Sequence, residues 1–215
     1  MENGLKKSGK KSERVGALSA KGCFYESEEL SQIGLKSYKS NVKISKKASI
    51  YSPENIEMGH NVRIDDFCIL SGQVKIGSYV HIGAHSALYA QYQPIQIGNF
   101  VGISSRVSIY SFSDDCIWGL SLTNPTVPDE YKVLTVDQGP VIIKDHAMIS
   151  AGSVILPETE IQTGAVIGAL SLVRGQVEEW AIYRGNPAKA VQKRPSKQIL
   201  KLEEKLREKY RFDLD

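Results

Sequence analysis

An all-β solenoid, in which each short unit of chain winds onto the one before, is the fold class this sequence predicts. Three observations predict it. Residues 58–93 divide into sixes with nothing left over: MGHNVR, IDDFCI, LSGQVK, IGSYVH, IGAHSA, LYAQYQ. The same beat returns after a three-residue slip at 94–96 as IGNFVG and ISSRVS, and again from Ile143 as IKDHAM, ISAGSV, ILPETE, IQTGAV and IGALSL. Within the blocks the chemistry repeats too. The first position is aliphatic (Met58, Ile64, Leu70, Ile76, Ile82, Leu88), and in the first five blocks the fifth is small or β-branched (Val62, Cys68, Val74, Val80, Ser86). Neither a helical nor a two-residue strand period keeps such a register. A short fixed period instead marks a chain whose core is the axial column of its own repeated side chains.

The elements follow in order. Residues 1–22 hold six basic side chains against two acidic ones and no apolar core, which predicts a flexible arm. Residues 23–43 form a cap, with an amphipathic helix expected over 26–35, Ser27 as its N-cap and Gly34 near its stop. Coils begin loosely at Ile44 and Ile50, lock into register at Met58 and run to 194. Inside that span, 113–141 drops out of the beat. It contains Trp118, Asn124-Pro125, Pro128, Tyr131 and Gly139-Pro140, too polar and too broken by proline for another coil. Long excursions from compact repeats tend to be functional. From Ser196 to Phe212, the spacing of Ile199, Leu202, Leu206 and Tyr210 predicts a helix in the final segment, 195–215.

Composition narrows the function. The net charge is +3, but the basic arm accounts for it and the rest of the chain sums to slightly negative, so a basic nucleic-acid-binding body is not supported. Nothing is apolar for long enough to span a membrane, and the N-terminal stretch lacks the core of a signal peptide. Cys23, Cys68 and Cys116 are widely spaced and odd in number, which argues against a disulfide framework or a metal knuckle and for a reducing cytoplasm.

The repeats over 44–194 resemble the hexapeptide-repeat acyltransferases. ISAGSVILPETEI and YRGNPAKAVQKR are similar to that family's IGAGSVILPGVTI and its GNPA-and-basic tail. The resemblance implies a left-handed parallel β-helix with three blocks to a coil, a trimer with active sites between subunits, and acetyl-CoA as co-substrate. With that coil, both the 94–96 slip and the 113–141 excursion leave from one edge of the prism. It further implies that the thioester arm lies along the turns Ser150-Ala151-Gly152 and Gly168-Ala169. Small residues suit such turns, because a ligand reaches backbone groups only where no side chain intervenes. Asn186 and Pro187 would complete the groove, with Lys189, Lys193 and Arg194 facing the nucleotide phosphates. The chain departs from the pattern at Ser150 and at Glu158, where the family carries glycine. It also departs after Ile109, where the galactoside and maltose type carry a catalytic histidine and this chain reads YSFSDD. The SDD…TNP loop looks closer to a branch associated with surface-polysaccharide genes, and so implies a role in lipopolysaccharide or O-antigen synthesis.

The general base therefore has to come from elsewhere. Four histidines are present: His60, His81, His85 and His146. An imidazole near neutrality is the most capable base for a hydroxyl. His85 is favoured because it precedes the Leu88 block and stacks two coils before Gly152; His146 is second. Asp114 or Asp115 would orient a histidine from a neighbouring subunit or bind the acceptor, and Trp118, Asn124 and Tyr131 are the candidate acceptor contacts in the loop. An amine needs a base less than a hydroxyl does. The lost loop histidine thus favours a sugar amine, free or nucleotide-linked, with a hydroxyl acceptor still open. The expectation is an acetyl-CoA-dependent sugar acetyltransferase without a metal. Two other classes share the scaffold: a γ-type carbonic anhydrase, which needs three convergent histidines around zinc, and a non-catalytic hexapeptide protein.

Overall fold

The computed structural model describes residues 23–116, 118–132 and 137–210; the basic stretch 1–22 and residues 211–215 lie outside the described residues. Each six-residue block makes one short strand and one corner, and three strands close a turn. About seven turns stack with their strands parallel. Three faces result. The first holds Ser37–Tyr38, Ile56–Met58, Val141–Ile143, Thr159–Ile161 and Gln176–Val177, joined by the second halves of Ile69–Ile76 and Ala87–Ile97. The second runs Lys43–Ile44, Arg63–Ile64, His81–Ile82, Gly102–Ile103, Met148–Ile149, Val166–Ile167 and Ala181–Gly185. The third carries Ser49–Tyr51, the first halves of Ile69–Ile76 and Ala87–Ile97, then Ser108–Tyr110, Val154–Ile155 and Leu172–Val173.

The register explains the beat. Ile64 pairs with Ile82, Ile82 with Ile103, Ile103 with Ile149 and Ile149 with Ile167, all essentially inaccessible to solvent. Burying each such side chain contributes about 1.5–3 kcal/mol. The fifth positions also point inward, which is why Val62, Cys68, Val74, Val80 and Ser86 are small and buried. Ser86 escapes the cost of a buried hydroxyl by donating to the Ser104 carbonyl at 2.8 Å, and Ser171 donates likewise to Gly168 at 2.7 Å. Cys68 packs at its fifth position with Sγ 3.2 Å from the Gly83 carbonyl, and burial pushes its thiol up in pKa.

Corners turn through the left-handed backbone region. Tyr79, Phe100, His146 and Trp180 do so at the first corner (φ 61°, 58°, 61° and 48°), and Phe67, His85, Arg106 and Leu170 at the second (60°, 63°, 58° and 57°). Such residues cost roughly 1–2 kcal/mol each. Stacking offsets part of this: Tyr79 lies 5.1 Å from Phe100, Phe100 5.1 Å from His146, and His146 6.1 Å from Trp180, centroid to centroid. The glycine at this corner, Gly164, is required because a Cβ there would meet the Trp180 ring at 2.3 Å.

The ends differ in detail from the sequence expectation. The first coil starts at Ser37, ahead of Ile44, because Ser37–Tyr38 already pairs with Glu57 and Met58. Helix α1 spans Ser27–Gln32 and is capped by Glu26 rather than Ser27: the Glu26 amide donates to Glu29 at 2.9 Å within a reciprocal capping box. Its Leu30 seals the first coil. Helix α2 spans Lys197–Tyr210, and its apolar stripe is not a buried face, since Leu202 and Tyr210 stay largely exposed.

Candidate active site

The second corner is a ladder of backbone turns. His85 N–H donates to Asp66, Arg106 N–H to Ala84, Gly152 N–H to Ser105 and Leu170 N–H to Ala151, each at 3.0–3.1 Å. Successive rungs stand about 4.8 Å apart. This one line therefore carries His85, then Arg106, then Ser150-Ala151-Gly152, then Gly168-Ala169. It ends at the hairpin Ala181–Gly185/Ala188–Lys193, whose turn is Asn186-Pro187. Gly168 N–H donates to Tyr183 at 2.7 Å and Gly185 N–H to the Ser171 hydroxyl at 3.1 Å, so the hairpin is fastened to the ladder. Lys189 and Lys193 stand exposed on its outer strand.

Arg194 differs. The sequence placed it toward a phosphate, but its guanidinium donates to the His146 and Gly164 carbonyls, both at 2.8 Å, and lies 5.7 Å over the Trp180 ring. The fork closes the end of the first corner, and burial lowers its pKa. Sequence reasoning also passed over Leu170, which is 78 % exposed and whose Cδ2 sits 2.7 Å from where a Gly152 Cβ would be. A large aliphatic in the corner of the IGALSL block was the available signal.

The histidines separate clearly. His85 is exposed and stacks on Phe67, ring centroids 4.9 Å apart. It stands at the opposite end of the third face from the corner that carries the insertions. His146 occupies the first corner and is buried: α2 covers it, and Nε2 lies 2.7 Å from the Glu203 carboxylate. Burial pulls the Glu203 carboxyl up, but hydrogen bonds from Arg207 and His146 outweigh this and hold it below the usual carboxylate range. His81 pairs with Asp65 at 2.8 Å and His60 with the Ser40 hydroxyl at 2.8 Å. Among the described residues no three histidine, cysteine or acidic side chains converge to hold a metal ion.

Both interruptions do share the third corner. Tyr92, just ahead of the first, meets Phe112 at the root of the second edge-on at 5.1 Å. Phe112–Ser113 pairs antiparallel with Asp137–Gln138, so the 113–141 excursion leaves on a two-stranded stem. Beyond it the two aspartates have different surroundings. Asp115 accepts from the backbone N–H groups of Trp118, Gly119 and Leu120 and so holds a turn together. Asp114 is exposed, and its carboxylate meets no partner among the described residues. Trp118 and Tyr131 are 66 % and 59 % exposed, and Asn124 is engaged locally, its Oδ1 accepting from the Thr126 N–H and hydroxyl. Residues 117 and 133–136 of the excursion lie outside the described residues.

A stacked prism with a ladder of backbone turns at one corner and a stemmed, carboxylate-bearing arm at another matches one class, the β-helical acyltransferases. The bacterial transferase hexapeptide family (six repeats) matches residues 55–90. The dTDP-4-amino-4,6-dideoxy-D-glucose acyltransferase of Escherichia coli is 42% identical over 183 residues, which are 84% of this chain and 93% of that one. The structure of AntD, an N-acyltransferase from Bacillus cereus, in complex with dTDP and 3-hydroxybutyryl-CoA superposes with a TM-score of 0.82 at 46% identity, covering 88% of this chain and 99% of AntD. A variant of AntD with dTDP-4-amino-4,6-dideoxyglucose and coenzyme A gives a TM-score of 0.81. The chain belongs to the hexapeptide-repeat acyltransferases and has their left-handed β-helix. Within that family it is a sugar acyltransferase, an enzyme that uses an acyl-CoA co-substrate.

Proposed function

We propose that this chain transfers an acetyl or other short acyl group from coenzyme A to the amine of a nucleotide-linked amino sugar, in the cytoplasm, as a homotrimer. The observation that carries the reading is the near-full-length similarity to AntD, whose complexes contain dTDP-4-amino-4,6-dideoxyglucose and coenzyme A. The ladder of small turns at the second corner supports the donor assignment. Ser150, Ala151, Gly152, Gly168 and Ala169 would border the pantetheine, and Asn186, Pro187, Lys189 and Lys193 the nucleotide end. Trp118, Asn124 and Tyr131 on the arm would border the acceptor.

In the transfer, the sugar nitrogen attacks the thioester carbonyl carbon. A C–N bond forms, the C–S bond breaks, and the proton shed by nitrogen must leave while the thiolate takes one up. An amine can be free base near neutrality, so the protein's task is orientation and proton removal, with backbone N–H groups stabilising the oxyanion. Asp114 is the group best placed to accept that proton. Asp115 is occupied by three amides and His146 by Glu203, whereas Asp114 is exposed and its carboxylate has no partner among the described residues. His85, at the donor corner, is the second candidate. Because the arm and the ladder leave from different corners, the reading requires a second copy whose arm crosses its neighbour's ladder.

A thiol-release assay with acetyl-CoA and 3-hydroxybutyryl-CoA, run against a dTDP-linked 4-amino sugar and its 4-hydroxy counterpart, tests this. Turnover is expected with the amine. Efficient acylation of the hydroxyl with the amine ignored would overturn the reading.

A further inference from the structure

We propose that Arg174 is a positioning residue for the transfer reaction, which with Glu158 clamps Asp137 and thereby sets where the 113–141 arm leaves the prism and presents Asp114. The inference rests on the reading of Asp114 as proton acceptor, but its geometry is independent of that reading. Arg174 follows Val173 at the third corner. Its Nη1 and Nη2 donate to the two carboxylate oxygens of Asp137 at 3.1 and 2.7 Å, and Nη2 reaches Glu158 at 3.4 Å. Asp137 stands opposite Ser113 in the antiparallel stem, one residue before Asp114. The clamp therefore grips the strand that fixes the base.

Glu158 is the position where the chain departs from the family's glycine. It holds φ 59°, the left-handed region that glycine would occupy without strain. Its Cγ lies 2.1 Å from where a Gly139 Cβ would be, so its stem packs on the returning end of the arm. A strained, charged residue in a glycine's place, with a side chain aimed at the arginine that holds the arm, fits a role in placing the arm. Exposed ion pairs add little to global stability, and these side chains are 22–64 % exposed. A two-pronged guanidinium–carboxylate contact does, however, fix direction.

The test compares Arg174→Ala, Arg174→Lys and Glu158→Gly with the parent, using kcat, KM, thermal midpoint and amide exchange at the stem. For Arg174→Ala the expected result is a loss of about tenfold or more in kcat/KM, with the midpoint nearly unchanged and faster exchange at Ser113 and at Gly139, whose N–H donates to the Ser111 carbonyl across the stem. Lysine should restore only part, since an ammonium cannot hold both oxygens in the fork geometry. Glu158→Gly should hold or raise the midpoint while lowering kcat, which a merely stabilising role would not produce. The proposal is overturned if Arg174→Ala stays within about twofold of the parent in kcat/KM, or if its stem exchange is unchanged whatever the kinetics do. Asp114→Asn, assayed alongside, separates the two readings. Retained turnover there removes Asp114 as base, while stem exchange in Arg174→Ala still decides the clamp.

Discussion

Two adjacent aspartates show how little of a residue's role lies in its type. Asp115 is spent on three backbone N–H groups, so Asp115→Ala should loosen the arm and raise KM for the acceptor sugar. Asp114→Asn should leave the arm in place and lower kcat by about 10²–10⁴-fold, the usual reach of general base catalysis. Steady-state kinetics on both variants separates these outcomes. His85→Asn should cost less than about tenfold if Asp114 takes the proton, and a larger loss with a shifted pH profile would move the base to His85. The corner positions of His85 and His146 were legible in the six-residue register. Their different fates were not, because nothing local to His146 announces that Glu203, on a helix far along the chain, will cover it.

At the level of single elements, the strands are short and the columns they build do the stabilising. Ile103 sits between Ile82 and Ile149 and is almost fully buried, so Ile103→Ala should cost about 2–5 kcal/mol in denaturant unfolding. Helix α2 is attached differently. It buries no residue fully among those described, and Glu203 faces His146 and Arg207. A carboxyl held below its ordinary value stabilises the folded state above that value, near pH 4.5, and the contribution is lost as pH falls through the lowered one. Below about that pH the thermal midpoint of the parent should therefore fall more steeply than that of Glu203→Gln, in which the linked proton is absent. Equal slopes would show that the contact contributes nothing.

For the whole molecule, the decisive feature is that the arm and the ladder of backbone turns lie at different corners of one prism. If three copies close a ring, each site takes Asp114 from one subunit and the turns at Ala151 and Ala169 from the next. Asp114→Asn and Ala169→Trp should then each be nearly inactive alone. Co-assembled from equal amounts, they should regain about a quarter of the sites, the fraction of interfaces that pair two intact halves. No recovery on mixing would place the whole site within one subunit.

Sequence by itself determined the solenoid. Aliphatic and small residues at fixed spacing can only be buried together if the chain stacks on itself, so periodicity carries the fold, and the resemblance of the GNPA tail carries the donor. The tertiary structure alone decided which polar side chains remain available. Arg194, His146 and Asp115 have the right chemistry in the right stretches, but each is engaged by atoms distant along the chain or by a turn the pattern does not encode. The physical reason is that burial of apolar groups follows from repeat spacing, whereas the hydrogen bonds of Arg194 and His146 are settled by neighbours 30 to 57 residues away along the chain.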